Sequence, residues 1–147
     1  RAADILKLND DEIVAVAEML SLKEHDVEGR CRELCGRFSL ACCLVTLGDR
    51  GVFIYAPEEG GAYVSGCRID VVDTVGAGDA FSAGFIHRYL RGASLRDAAA
   101  YGNALGALTA TKQGGTAPVT EIDLAAFLAD TAIPRIIDPA FERFLDR

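Results

Sequence analysis

Apolar and polar positions follow two periods along this chain, and together they predict a mixed order of strands and helices. Residues 5–8 read as the end of a short strand. From Asn9 the apolar residues Ile13, Val16, Ala17 and Leu20 recur three and four apart, marking one face of a helix that Asn9 caps. A second helix covers about residues 27–38, and 41–47 form a continuous apolar run of strand length, as expected of a buried strand. Gly48-Asp49-Arg50-Gly51 is a turn, 52–56 the returning strand, and 58–61 another turn, followed by short strands near 62–65 and 67–72.

A glycine-rich loop, Asp73-Thr74-Val75-Gly76-Ala77-Gly78-Asp79, then opens a helix to about residue 91. Ser94 with Asp97 resembles a capping box for an alanine-rich helix to about residue 111. Ala98, Gly102, Gly106 and Ala110 fall four apart on it, a stripe that lets another backbone approach closely. Residues 112–118 form a loop, Thr120 and Asp123 repeat the capping pattern for a helix to about 129, and Asp138-Pro139 reads as an N-cap followed by proline at the first position of a last short helix. The order is α/β, but with few strands for a complete doubly wound sheet, so one half of a larger sheet suits it better.

Composition narrows the classes. At 147 residues, 50% hydrophobic and 25% charged, the chain fits one ordinary domain with ample core, and wholesale disorder is excluded. A net charge of −7 argues against nucleic acid as a partner, and no apolar run approaches the length of a membrane span. The five cysteines include no C-x-x-C, and two histidines are too few for a zinc set. Reduced cysteines packed as small hydrophobes in a cytoplasmic protein are expected. The start at Arg1, with no Met and no visible signal peptide, points to a piece of a longer protein or a trimmed one.

Residues 73–79 carry the most chemistry. Consecutive N–H groups at a helix start form an anion cradle, and Asp79 lies in that first turn. Such an acid can take the proton of a hydroxyl attacking a γ-phosphoryl group, or it can simply complement the helix dipole. Asn9-Asp10-Asp11-Glu12 is a helix-start signature that could also hold hydrated Mg²⁺ near phosphates. Thr46 through Gly51 suits a plain turn, or a loop over which a nucleotide lies. His87 and His25 read as packed or solvated rather than catalytic.

Together these segments resemble the ribokinase-like carbohydrate kinases, which include fructokinases, adenosine kinases and 2-keto-3-deoxygluconate kinases. Residues 72–81 match that family's C-terminal signature, Lys7 through Glu12 look like its Asn-x-x-Glu segment, and Thr46 through Gly51 resemble its T-L-G-x-x-G nucleotide loop. The resemblance spans about residues 3–128 and implies the C-terminal half of a ribokinase-like three-layer αβα fold. The family's N-terminal half, with most sugar contacts and the lid, has no counterpart here, and a half sheet would leave a strand edge and apolar surface uncovered.

The resemblance implies ATP-dependent phosphoryl transfer to a sugar hydroxyl. It makes Asp79 the general base and the N–H groups of Gly76, Ala77, Gly78 and Asp79 the anion hole. It sets Asn9 and Glu12 around Mg²⁺, and Thr46, Gly48 and Gly51 along the nucleotide, with Asn103 beside the adenine. Asp73 and the carbonyl of Val75 match ligands of a monovalent cation such as K⁺, with further carbonyls expected from about residues 109–118. Expected partners are a small-molecule sugar and a second copy or the missing half. A truncated non-catalytic nucleotide-binding or assembly module, or a nucleoside kinase of the same superfamily, are the alternatives.

Overall fold

The computed structural model describes residues 3–145. Its strands are β1 (Ile5–Asn9), β2 (Cys42–Thr46), β3 (Gly51–Ala56), β4 (Gly60–Cys67) and β5 (Arg135–Ile136), joined in that order into one five-stranded sheet. β1 and β2 are parallel, with Asn9 beside Thr46 at their carboxyl ends. The other pairs are antiparallel. Parallel neighbours need a crossover, and α1 (Asp10–Leu20) and α2 (Val27–Phe38) provide it. After β4 the chain leaves the sheet for α3 (Ala77–Tyr89), α4 (Leu95–Ala110) and α5 (Glu121–Ala129).

Alternate residues of the central strands enter different cores. Cys43, Val45 and Phe53 pack with Ile13, Cys31 and Leu34 on the α1–α2 side. Cys42, Leu44, Val52 and Ile54 face Phe81, Phe85, Ala98 and Ala99 of α3 and α4 on the other. This makes a three-layer αβα arrangement and explains the unbroken apolar run of β2, which is covered on both faces. All five cysteines are free and buried.

The helix starts follow their capping chemistry. Asn9 and Glu12 exchange backbone-to-side-chain bonds of 2.7 Å each, and Thr120 and Asp123 do the same at 3.1 Å. Ser94 accepts from the Asp97 N–H at 3.0 Å, but its hydroxyl donates to the Asp97 carboxylate at 2.8 Å, so only half of the expected box forms. Gly102 and Gly106 of the small-residue stripe meet α3. A Cβ on either would lie 2.7 Å from the Phe81 carbonyl oxygen or 2.9 Å from that of Ala77.

Two expectations change and one strand is new. The strands near 62–65 and 67–72 are one strand, β4, which ends at Cys67; the segment after it turns toward α4, where the Val72 N–H bonds the Ala110 carbonyl. The two-residue strand β5 had no apolar alternation to announce it. The last helix is a single 3-10 turn, Glu142–Phe144, although Asp138 does cap the backbone by accepting from the Ala140 N–H at 3.0 Å.

Among the described residues β1 is an edge of the sheet. Beside it lies an apolar cavity of about 580 Å³ lined by Leu6, Val16, Leu20, Leu34, Phe38 and Leu40. No helix among the described residues is long and apolar enough to cross a membrane.

Candidate functional site

Ligand crevices in α/β sheets form beyond the carboxyl ends of parallel strands. Here Asn9 and Thr46 finish β1 and β2 side by side. They open onto a cleft of about 410 Å³. Gly48 and Gly51 line it from the loop after β2, Ala77 and Gly78 from the start of α3, and Asn103 from α4. Seven residues singled out in four distant segments of sequence therefore share one cavity. Gly76, Asp79, Glu12, Asp73 and Val75 do not line it. Asp79 is solvent-exposed in the first turn of α3, and Glu12 is exposed in the first turn of α1.

Each wall has a local cause. The Thr46 hydroxyl donates to the Leu8 carbonyl at 3.3 Å, tying β2 to β1. The following loop closes through the Leu47 N–H on the Gly51 carbonyl at 2.8 Å. Gly51 has φ +99°, and a Cβ there would stand 2.1 Å from the Val64 carbonyl oxygen, so only glycine fits. The Asn103 amide nitrogen donates to the Ser65 carbonyl at 3.1 Å. A carbonyl can only accept, which fixes the orientation of that amide.

The loop before α3 is braced by Asp73. Its carboxylate accepts from the Val75 N–H at 3.0 Å and from the Gly114 N–H at 3.1 Å, joining the two loops beyond α4 and before α3. Gly76 takes φ +80° and packs on Gly115, whose Cα would be 2.8 Å from an added Cβ. The Ala77 N–H donates to the Thr74 carbonyl at 3.2 Å and the Ala80 N–H to that of Gly76 at 2.8 Å. The N–H groups of Gly76, Gly78 and Asp79 have no partner among the described residues. Unpaired N–H groups at a helix start are an anion cradle.

Lys7 was passed over in the sequence and belongs here. Its ammonium lies 3.6 Å from the point a Cβ on Gly78 would occupy, and Lys7 lines the cleft. No hydrogen bond or ion pair engages it among the described residues. The available signal was a single charge inside the apolar strand Ile5-Leu6-Lys7-Leu8.

Arg50 was also missed. It bonds Asp10 at 2.7 Å and Asp138 at 2.5 Å. Partial burial works against its charge, but the bond to Asp138 and the charges of Asp138, Asp10 and Asp49 prevail, holding its pKa above the ordinary value. Burial, which lowers a cation's pKa, raises that of the Tyr63 hydroxyl and outweighs the bond from the Asp138 N–H. Tyr63 thus stays a donor, to the Arg50 carbonyl.

Among the described residues no group of three or more His, Cys, Asp or Glu could hold a metal directly. Asn9 and Glu12 each commit one oxygen to the capping box. The remaining carboxylate oxygen of Glu12 suits a hydrated Mg²⁺, which keeps several waters and needs few protein ligands.

Residues 1–122 match the model of the pfkB family carbohydrate kinases. The chain is 38% identical over 130 residues to an ATP-dependent ribose-1-phosphate kinase of Halopiger xanaduensis, covering 88% of this chain and 40% of that protein. It is 34% identical to fructokinase-1 of Oryza sativa subsp. japonica, covering 83% of this chain and 38% of that one. The fold superposes on Thermotoga maritima ribokinase with a TM-score of 0.79 at 25% identity, over 86% of this chain and 42% of that one. For Vibrio cholerae fructokinase, bound to fructose, ADP and calcium, the TM-score is 0.73 at 29% identity, over 86% and 41%. The chain thus spans about 40% of the length of the relatives it matches.

Proposed function

This chain belongs to the pfkB family of carbohydrate kinases, and we propose that it is the nucleotide-binding, catalytic-base portion of an ATP-dependent kinase for a sugar hydroxyl. The observation that carries the reading is the shared cleft, where the carboxyl ends of β1 and β2, the Gly48–Gly51 loop and Gly78, with its unpaired N–H at the start of α3, converge. Thr46, Gly48 and Gly51 lie along the nucleotide in this reading, with Asn103 toward the base. The backbone of Gly76, Gly78 and Asp79, joined by the Lys7 ammonium, receives the transferring phosphoryl group. Positive groups fixed in advance cost no reorganisation as charge develops.

The Asp79 carboxylate takes the proton of the sugar hydroxyl. The hydroxyl oxygen forms a bond to the γ-phosphorus, the bond from that phosphorus to the β–γ bridging oxygen breaks, and ADP leaves with the electron pair. Asn9 and Glu12 would hold Mg²⁺ through its waters, and the ion supplies charge neutralisation for the phosphate oxygens. Asp73 and the Val75 carbonyl would hold a monovalent cation, since both lie against the Gly114–Gly115 turn.

Calorimetric titration with Mg·ATP tests the reading. Gly78→Val is the informative variant, because the first atom it adds, the Cβ, meets only the Lys7 ammonium, at ordinary contact distance. The expected result is binding by the chain and at least about tenfold weaker binding by the folded variant. Equal binding by both would refute the cradle. A second reading, a nucleotide-binding or assembly module without turnover, draws on the roughly 40% span and the apolar cavity beside β1. Phosphorylation of any sugar by the chain alone would exclude it, and a substrate panel including adenosine would separate a nucleoside kinase.

A further inference from the structure

Arg50 closes the 3-10 turn Gly48–Arg50, between cleft-lining Asp49 and Gly51. It is gripped twice. Its guanidinium bridges Asp10, the first residue of α1, and Asp138, in the C-terminal segment. Its carbonyl accepts from the Tyr63 hydroxyl, and that hydroxyl accepts from the Asp138 N–H at 3.0 Å. Asp138 thus reaches both ends of Arg50, once directly and once through Tyr63.

Asp138 is itself immobilised. Its side chain is only 11% exposed, and its second oxygen accepts from the Ala140 N–H. Phe141 and Phe144 anchor the segment, each with its ring centroid 5.2 Å from that of Phe53, while Phe141 also packs on Tyr63 at 5.5 Å. Arg96 of α4 donates to the Phe144 and Leu145 carbonyls. With two carboxylates on it, Arg50 has no charge to spare for a phosphate, so its place beside the cleft is that of a brace. The family match ends at residue 122, sixteen residues before Asp138.

We propose that Arg50 and Asp138 are positioning residues, and that the C-terminal segment thereby sets the loop over which the nucleotide lies. This rests on the nucleotide reading of the cleft. Among the described residues the Arg50 guanidinium ties that loop to Asp10, next to the Asn9 cap, and to Asp138 of the C-terminal segment, so loss of the Asp138 carboxylate frees it from one of its two partners.

The test measures Mg·ATP and Mg·ADP affinities of the 147-residue chain and of Asp138→Asn, at a temperature where circular dichroism shows both folded. The expected result is a loss of about three- to fivefold for both nucleotides alike, the scale of a partly exposed ion pair. A brace for the fold alone would lower the unfolding midpoint and leave both affinities unchanged in the folded protein, and that result overturns the proposal. Arg50→Lys, which keeps the bonds of Asp138 to Ala140 and Tyr63 but cannot span two carboxylates, carries the same test if Asp138→Asn fails to fold. Wild-type chain that binds neither nucleotide overturns the cleft reading and this inference together. Wild-type binding with unchanged variants overturns only this inference.

Discussion

Replacing one helical glycine by alanine should weaken this protein at Gly102 and strengthen it at Gly36. Both lie within helices, α4 and α2, and both would gain about 1 kcal/mol from propensity alone. At Gly36 nothing lies within 4 Å of the added Cβ, so the gain stands. At Gly102 the Cβ would sit 2.7 Å from the Phe81 carbonyl oxygen, where ordinary contact begins at 3.4 Å, and 3.1 Å from the Phe85 nitrogen. Those are backbone atoms of α3 and cannot turn aside, so the helix must retreat by about 0.7 Å. A gap of that size forfeits a quarter to a half of each dispersion contact around Phe81 and Phe85. Overpacking of this kind costs about 1–3 kcal/mol. Net of propensity, Gly102→Ala should destabilise by up to about 2 kcal/mol while Gly36→Ala stabilises by about 0.5–1 kcal/mol. Urea denaturation of both variants at constant m-value reads the difference. Because α3 carries Gly78 at its start, Gly102→Ala should also weaken Mg·ATP binding, and Gly36→Ala should not. A Gly102→Ala protein as stable as Gly36→Ala would refute the helix contact on which the cradle depends.

Other outcomes follow from the same geometry. Lys7→Met should weaken Mg·ATP about tenfold and Mg·ADP far less, since an ammonium beside the cradle acts on the terminal phosphate; equal losses in calorimetry would assign Lys7 elsewhere. Asp79→Asn should leave Mg·ATP affinity within about twofold and, in any preparation that turns over, cut the rate by about 10²–10⁴, read as sugar-dependent ADP release. Burial holds the thiols of Cys35 and Cys42 up to about 12, above the ordinary 9.0. Below pH 9 both folded and unfolded chains keep those protons; between 9 and 12 the unfolded chain releases protons that the folded one retains, so stability should fall across that window in urea titrations. Flat stability there would contradict the burial. Thiol reagents at pH 8 should modify none of the five buried cysteines until the chain unfolds, and rapid labelling of any would contradict their packing.

Local chemistry was legible wherever a residue acts on its neighbours in sequence. Asn9 with Glu12 and Thr120 with Asp123 cap the helices they announce, and α2 runs over the residues its pattern outlined. The apolar run of β2 and the small-residue stripe of α4 revealed faces buried against other elements before those elements were known. The glycine-rich loop marked the start of α3 because an unpaired N–H row needs no side chain to announce it.

Contacts distant in sequence were decided only by the fold. Nothing local in Arg50, Tyr63 or Asp138 shows that they meet, because the sheet order brings β4 and β5 side by side and sets the C-terminal segment against the loop after β2. Nor does the sequence place Lys7 at the start of α3; parallel pairing of β1 with β2 and the return of α3 set its ammonium near Gly78. The brief strand β5 escaped notice because two residues hold no period, and its hydrogen bonds come from β4 rather than from its own side chains. Periodicity and capping are properties of neighbours along the chain, so the sequence alone determined most of the elements and the order of the motifs. Which motifs face one another is set by packing and strand pairing across the whole chain, so only the tertiary structure could assemble them into one cleft.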